Sequence, residues 1–444
     1  MGISSIFRSI KALPRRASDW QEIYSMQTNL CLCPNGRAEQ EWRNTMKRLI
    51  GVLMAVLLGI GTAGCGSGRQ TAENGETPGT VTEEANTNTE TAEAEGNGDQ
   101  WLTVIPGYGN EAGEYAKGPN GEDAVPTTEI SLTEEQYAQI REKGLKAAMI
   151  WAGASEWYNA MTDGAKAEFE KMGIEIVATS DAQFDPSKQA TDIETSMALK
   201  PDIILSLPVD PVSGTRAFSP AVDAGAKIVF ADNGVNDYKA GEQYVSIVTG
   251  DQYGMGRAAA KLMAESIGGK GKIGIIYYDV DYLVTNNRDN EFVRTIVNDY
   301  PDIEIVAMSG FSAENATGEV ASAMMTQNPD LNGIYVSWDV AAEPVVSELR
   351  AGGYKDCKVV TMDLGGNNDL DMAQGGNVYG KVADMPFQIG ETMAKLAALS
   401  ILGEDAPAYV VSETVSMTRD NMVEAWNQSL NKDPDSSVLE ILGK

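Results

Sequence analysis

Histidine is absent from all 444 residues. That excludes Ser-His-Asp and Cys-His catalysis, every histidine-ligated metal site and histidine-based pH switching. Cysteine is scarce: Cys31, Cys33, Cys65 and Cys357 are too few and too scattered for a disulfide framework or an all-cysteine zinc site. Cys357 reads as an inert loop thiol. Positive charge is also short, with 34 basic against 64 acidic side chains and a net charge of −30. A nucleic-acid binder needs a basic footprint, so that class is excluded. What the chain does have is apolar residues, 43% of the total, enough for large cores and enough to exclude global disorder. Its length corresponds to about two to three domains of about 150 residues each. Two kinds of chemistry remain, acid/base work by carboxylates and binding.

The first third reads as processing signal and tether. Met46-Lys47-Arg48 precedes an apolar run over 49–60, 12 residues long. A bilayer core needs about 20 residues, so the run fits the apolar segment of a secretory signal instead. Thr62-Ala63-Gly64-Cys65 resembles a bacterial lipobox, with Thr62 where that pattern usually has Leu. The resemblance implies a signal peptide over 46–64 and a lipidated Cys65 that becomes the mature first residue. Residues 1–45 then read as an over-extended leader, and Cys31-Leu32-Cys33-Pro34 has the wrong spacing for a metal or redox pair. Residues 1–64 hold eight of the basic and four of the acidic side chains, so the chain from Cys65 carries 26 and 60, a net −34. Residues 66–100 contain no aromatic residue, eight acids and one arginine. Such a segment cannot bury enough apolar surface to offset its ordering entropy. Residues 65–130 are therefore expected to form a disordered acidic tether and a loosely attached extension.

From there the pattern alternates. Thr133-x-x-Gln136 has the form of a capping box opening a short helix that ends near Gly144. Apolar strand patterns occupy 145–151, 174–178, 203–207 and 227–231, separated by helical spacing such as Tyr158, Met161, Ala165, Phe169 and Met172. Asp185-Pro186 begins one of these helices. The alternation restarts with strands at 273–278, 303–308, 334–337 and 359–362, and helices around 290–298, 318–327 and 344–349. Continuous apolar strands joined by helices imply parallel sheets covered on both faces. The expected fold class is α/β, with two doubly wound Rossmann-like lobes.

In open α/β sheets, ligands bind beyond the carboxyl ends of the strands. Here strand after strand exits into an aromatic or a carboxylate: Trp151, Asp210, Asp232, Asp279, Trp338-Asp339, Asp363 and Asp384. Facing lobes would gather these around one cleft. Asp279 reads as a helix N-cap and stands outside the binding set.

Over residues 143–426 the chain resembles the sugar-type periplasmic binding proteins of the ribose-binding class, the bacterial solute-binding protein 2 family. The stretches that carry the resemblance are Trp157-Tyr158-x5-Gly164, Lys200-Pro201-Asp202-Ile203-Ile204 through Pro208-Val209-Asp210, and Lys227-Ile228-Val229-Phe230-Ala231-Asp232-Asn233. Gly268-Gly269-Lys270-Gly271-Lys272-Ile273, Val359-Val360-Thr361-Met362-Asp363 and Pro386-x-Gln388-Ile389-Gly390 complete the set. The resemblance implies a first lobe over 131–249 plus 384–412 and a second over 250–383 plus 413–444. The hinge crossings would fall near Thr249, after Asp384 and at 411–414. It also implies a monomer that closes on its ligand and docks on an ABC importer at the outer face of the membrane, without a cofactor.

The carry-over of site residues is uneven. The family's tandem aromatics match Trp157 and Tyr158, and its characteristic Asp matches Asp363. Its Asp-Arg pair appears as Asp232-Asn233, without the arginine. Its Asn falls on Trp338 beside Asp339, its pocket arginine on Asn286 with Arg288 close by, its late glutamine on Asp384, and its Asn after the third strand on Leu207. With Trp151, Ser155 and Asp210, and without Leu207, these form the expected ligand-binding set, which is more aromatic and more acidic than that of a ribose binder. Aromatic faces suit sugar C–H patches, and carboxylates accept pairs of hydrogen bonds from adjacent hydroxyls.

Other readings are weaker. Residues 268–272 lack the spacing of a phosphate loop, and Ala152-Gly153-Ala154-Ser155 is not a dinucleotide fingerprint. Nothing marks a raised-pKa acid opposite a nucleophile, as a glycosidase needs. A ligand-sensing repressor would need a basic helix-turn-helix where this chain has a signal and an acidic tether. The expected function is capture of a monosaccharide or polyol. The alternative is a same-fold receptor for a non-sugar, in which Trp151, Trp157 and Trp338 with Asp232, Asp363 and Asp384 form a cation–π box.

Overall fold

A computed structural model describes residues 113–280 and 282–444. The leader, the signal segment, Cys65 and most of the tether lie outside the described residues.

Along the chain, β1 (Val125–Pro126) and α1 (Glu134–Arg141) lead into β2 (Lys146–Trp151), α2 (Glu156–Met172), β3 (Glu175–Asp181), α3 (Pro186–Met197), β4 (Ile203–Ser206), α4 (Pro211–Asp223), β5 (Lys227–Ala231) and β6 (Ser246–Gly250). A second series follows: α5 (Gln252–Ser266), β7 (Gly271–Tyr278), α6 (Leu283–Asp299), β8 (Ile303–Phe311), α7 (Thr317–Gln327), β9 (Gly333–Val336), α8 (Asp339–Ala351), β10 (Lys358–Met362), α9 (Gly366–Ala373) and β11 (Val378–Ala383). The chain then runs through α10 (Pro386–Leu402), β12 (Tyr409–Ser412), β13 (Val415–Thr418), α11 (Met422–Leu430) and α12 (Ser436–Leu442).

Two sheets result. The first has the order β1-β12-β6-β5-β4-β2-β3 and is parallel throughout. The second has the order β13-β11-β10-β9-β7-β8, parallel except where β13 runs against β11. This is the α/β class expected from the alternation of apolar strands and amphipathic helices.

The caps work locally as the sequence suggests. Thr133 and Gln136 close a capping box, and Asp185 accepts from the amides of Ser187 and Lys188. Gly268, Gly269 and Gly271 all take positive φ, at 70°, 76° and 134°, which makes 268–272 a turn before β7 and not a phosphate cradle. Asp279 caps no helix, contrary to expectation. Helix α6 begins at Leu283 with Tyr282 at its N-cap.

Both faces of each sheet are covered. In the first lobe α2 and α10 pack on the same face, with Met161, Ala165, Phe169, Ile389 and Met393 all fully buried. Gly164 and Gly390 allow that close approach: a Cβ on Gly164 would overlap the carbonyl of Phe387, and one on Gly390 the carbonyl of Met161. In the second lobe α5 lies against α6, and a Cβ on Gly256 would press on the backbone of Arg288 and Phe292. Cys357 is buried in that lobe's core, where burial pushes its thiol up to about 12. That environment keeps the thiol protonated and unreactive.

The chain passes between the sheets three times, between β6 and α5, between β11 and α10, and between β12 and β13. The passages lie side by side. The Asp251 amide donates to the Ser412 carbonyl at 3.0 Å, and the Met385 amide to the Ser412 hydroxyl at 3.3 Å.

Candidate ligand-binding site

The carboxyl ends of both sheets face one cavity of about 130 Å³. The first lobe supplies Ser155, Trp157 and Tyr158 from the start of α2, and Asp232 and Asn233 from the turn after β5. The second lobe supplies Arg288 from α6, Trp338 and Asp339 from the β9–α8 junction, Asp363 from the exit of β10 and Asp384 from the exit of β11.

Two of these carboxylates occupy matching positions. Asp232 and Asp363 each directly follow a central strand, and both have left-handed backbones, with φ of 56° and 62°. Each amide still reaches the next strand, Asp232 donating to Val248 at 2.9 Å and Asp363 to Val382 at 2.8 Å. The backbone therefore turns outward without losing its ladder bond. Non-glycine residues hold this conformation at a cost of about 1–3 kcal/mol, and such strain gathers at ligand clamps.

The aromatic side chains form perpendicular pairs. Trp157 and Tyr158 meet edge to face at 5.0 Å, and Tyr278 and Trp338 at 4.9 Å. Both indoles are anchored by carboxylates: Trp157 Nε1 donates to Asp384 at 2.9 Å and Trp338 Nε1 to Glu314 at 2.6 Å.

The electrostatics follow from burial. Loss of water pushes the Asp232 carboxyl up to about 6, against the opposing pull of the Thr249 hydroxyl that donates to it at 2.7 Å. Burial likewise pushes Asp339 up to about 7, although Lys381 lies 4.0 Å away. Asp384 is held well above the usual carboxylate range by burial and by the neighbouring Asp363 and Asp232. Asp363 is raised by burial, with Arg288 and Lys381 opposing. The Arg288 guanidinium lies 3.8 Å from Asp363 and donates to the Ser337 carbonyl at 2.7 Å. Behind the wall, Lys381 is fully buried and donates to Asp369 at 2.7 Å.

Three residues of the expected set do not line the cavity. Trp151 ends β2 with its ring in the first lobe's core, and its Nε1 donates to Thr162 at 2.8 Å. Asp210 is occupied as a helix cap, accepting from the Val212 amide at 2.8 Å and the Ser213 hydroxyl at 2.9 Å. Asn286 is buried on α6, where Thr285 and Arg288 take the cavity face instead.

The cavity also has walls the expected set omits: Phe184, Leu207, Tyr278, Tyr282, Thr285 and Glu314. Tyr278 was within reach of the strand-exit rule, because it is the last residue of β7 and aromatic. Tyr282 and Glu314 lie in turns several residues past their strands, where no motif marks them. Tyr282 closes the cleft from the second lobe by donating to the Pro208 and Val209 carbonyls of the first.

Comparisons with known proteins bear on the family and the fold. The periplasmic binding protein domain family matches residues 146–405. The ribose import binding protein of Bacillus subtilis is 24% identical over 277 residues, which span 61% of this chain and 87% of that protein. A solute-binding protein of an ABC transporter from Mycobacterium smegmatis, solved with glycerol, superposes with a TM-score of 0.56 at 27% identity, covering 63% of this chain and 95% of that one. Another from Agrobacterium vitis, bound to α-D-tagatopyranose, gives a TM-score of 0.58 at 22% identity, over 63% of this chain and 96% of that one.

Proposed function

Because this chain belongs to the periplasmic binding protein family, we propose that it captures a monosaccharide or polyol between its two lobes and delivers it to an ABC importer. The observation that carries the reading is the cavity itself: small, walled by aromatic faces, and ringed by carboxylates from both sheets. Its volume of about 130 Å³ lies below the about 300–1,000 Å³ of pockets for drug-sized ligands, so a single small solute suits it better than an oligosaccharide. Ribose, glycerol and tagatopyranose, the ligands of the similar proteins, are of that size and bear several hydroxyls.

In this reading Trp157, Tyr158, Tyr278 and Trp338 hold the apolar faces of the solute, and Asp232, Asp339 and Asp363 accept from its hydroxyls. The three adjacent passages between lobes act as the hinge. Ligand favours the closed arrangement because it touches both lobes only there. The protein works outside the cytoplasm as a monomer, held to the membrane by acyl chains on Cys65. Cys65→Ala should then release it from membranes and abolish lipid labelling.

The test of the binding reading is a thermal-shift screen of the full chain against sugars and polyols. A ligand at about 100 times its Kd adds about 2.7 kcal/mol of stability. A screen without any stabilising sugar or polyol would overturn the proposal.

A further inference from the structure

Five carboxylates line the cavity, those of Asp232, Glu314, Asp339, Asp363 and Asp384, against the single guanidinium of Arg288. Arg288 stands beside Asp363 at 3.8 Å, and Lys381, behind the wall, is shared between Asp369 at 2.7 Å and Asp339 at 4.0 Å. The other three hydrogen-bond to neutral donors, Asp232 to the Thr249 hydroxyl, Glu314 to the Trp338 indole and Asp384 to the Trp157 indole, and Arg288 acts on Asp232 and Asp384 only from beyond ion-pair distance. A neutral N–H or O–H satisfies a lone pair but cancels no charge. Closing the lobes over three such carboxylates removes their water, and a buried charge is tolerated only when paired or neutralised.

Building on the solute-binding reading above, we propose that the cavity selects a hydroxylated amine, an amino sugar or amino polyol, over the neutral sugar of the same shape. An ammonium supplies the missing positive charge and up to three donors at once. The perpendicular pairs Trp157–Tyr158 and Tyr278–Trp338 offer ring faces that attract a cation where water is excluded.

A second observation independently calls for hydroxyls. Arg288 is more than nine-tenths buried, lines the cavity, and leaves its Nε–H without a hydrogen-bond partner. An unmet buried donor is costly, so a ligand that presents an acceptor oxygen to Arg288 is favoured. A simple quaternary amine has none, whereas an amino sugar has several. A bare metal ion fits poorly, since among the described residues no three His, Cys, Asp or Glu are placed to hold one. Burial also raises Asp232, Glu314 and Asp384, Asp384 well above the usual carboxylate range, and an arriving ammonium would favour the ionised form of each.

Calorimetry on the full chain at pH 7.5 tests this with matched pairs: glucosamine and glucose, galactosamine and galactose, aminosorbitol and sorbitol, with tetramethylammonium as the cation without any hydroxyl. The expected result is at least one pair in which the amine binds 30-fold or more tighter than its alcohol, with proton release measured across buffers of different ionisation heat. Asp384→Asn and Glu314→Gln, checked for folding by circular dichroism, should each shrink that ratio several-fold. Neutral sugars binding as tightly as their amines would overturn this inference and leave the sugar-binding reading standing. Tetramethylammonium outcompeting every hydroxylated amine would overturn the part assigned to Arg288. Binding by no member of the panel would overturn both the inference and the reading beneath it.

Discussion

The two lobes repeat one topology and fill it with different chemistry. Asp232 after β5 and Asp363 after β10 hold the same left-handed turn and the same bond to the next strand. Asp232 leans on a neutral hydroxyl, whereas Asp363 faces Arg288. At the next pair of exits, β4 leads to Leu207 and β9 to Trp338 and Asp339. The contrast extends inward. Among the described residues the buried cations are Arg288 and Lys381, and both belong to the second lobe, paired there with Asp363 and Asp369. The fold thus fixes where a side chain meets the ligand, while the interior behind it determines what charge that side chain presents. In this protein the first lobe is mainly an aromatic wall and the second is the charged one.

The sharpest way to break the comparison is to remove the twin aspartates one at a time. Asp363→Ala removes the carboxylate paired with Arg288 and leaves Asp289 and Asp232 as its acidic neighbours, a loss in stability approaching the about 3–5 kcal/mol of a fully buried pair. Asp232→Ala orphans no cation and should leave folding nearly unchanged. Both should weaken ligand binding by about 1.5–3 kcal/mol, or about 10- to 150-fold in Kd, since each leaves a ligand donor unpaired in a closed site. Urea titration and calorimetry on the two variants measure these quantities. Equal stability losses would mean that the lobes do not differ in the way described.

Next in size is packing. Gly390→Ala in the first lobe should cost about 1–3 kcal/mol, the range for overfilling a packed core, because the new methyl meets the Met161 carbonyl and the helix α2 backbone is slow to yield. The surviving folded fraction should bind ligand as before. A parallel change, Gly256→Ala, presses on α6 beside Arg288, so there a loss of affinity should accompany the loss of stability. Melting curves and Kd values for both variants separate the two cases.

How much of this was legible follows the same division. The apolar strands and the caps at Thr133 and Asp185 could be read directly, because period and cap chemistry are local. So could the positions of Asp232, Asp363 and Asp384 at the cavity, because topology places the exits of their strands there. Trp151 was misplaced because a strand's last residue can point to either side, and only packing against Thr162 decides. Asp210 was misplaced because one carboxylate can serve a helix or a ligand, and here the Val212 amide was nearer. The strand at Val378–Ala383 carries a weak signal because Gly380 and Lys381 interrupt its apolar run, yet Lys381 is fully buried against Asp369. Tyr282 and Glu314 could not be found by local rules, since they reach the cavity from turns whose course depends on the closed lobes.

A smaller effect concerns pH. An unfolded aspartate titrates near 3.9. In the folded chain Asp232 is pushed up to about 6 and Asp339 to about 7. Raised carboxyls mean that the folded state keeps protons the unfolded state has lost. Their stabilising contribution is therefore complete below about pH 4 and disappears as pH rises through about 6 to 7. Ligand-free protein should melt at a lower temperature at pH 8 than at pH 5.5. Asp339 faces Lys381, Asp363 and Asp369, and Asp339→Asn should flatten the upper part of that slope. Asp232→Asn should flatten the lower part. If both variants flatten the same region, the two lobes titrate as one unit and the contrast drawn between them is too strong.

The smallest expected effect is at Asp279, and it tests whether an acid at a strand exit matters by position alone. Asp279 follows β7 directly, as Asp363 follows β10, and its amide likewise bonds to a neighbouring strand, donating to Phe311 at 2.9 Å. It is exposed, it does not line the cavity, and helix α6 starts too far along to be capped by it. Its charge acts on Tyr277, which lies outside the cavity. Asp279→Ala should therefore change stability and affinity by less than about 0.5 kcal/mol, as exposed substitutions usually do. A loss above about 1 kcal/mol in affinity would mean that the field of the acidic rim, and not contact inside the cavity, governs binding. Raising the salt concentration would then weaken binding in the wild type as well, since exposed charges are screened beyond about 8 Å at physiological ionic strength. An unchanged Kd in both experiments would leave the contacts within the cavity as the source of the affinity.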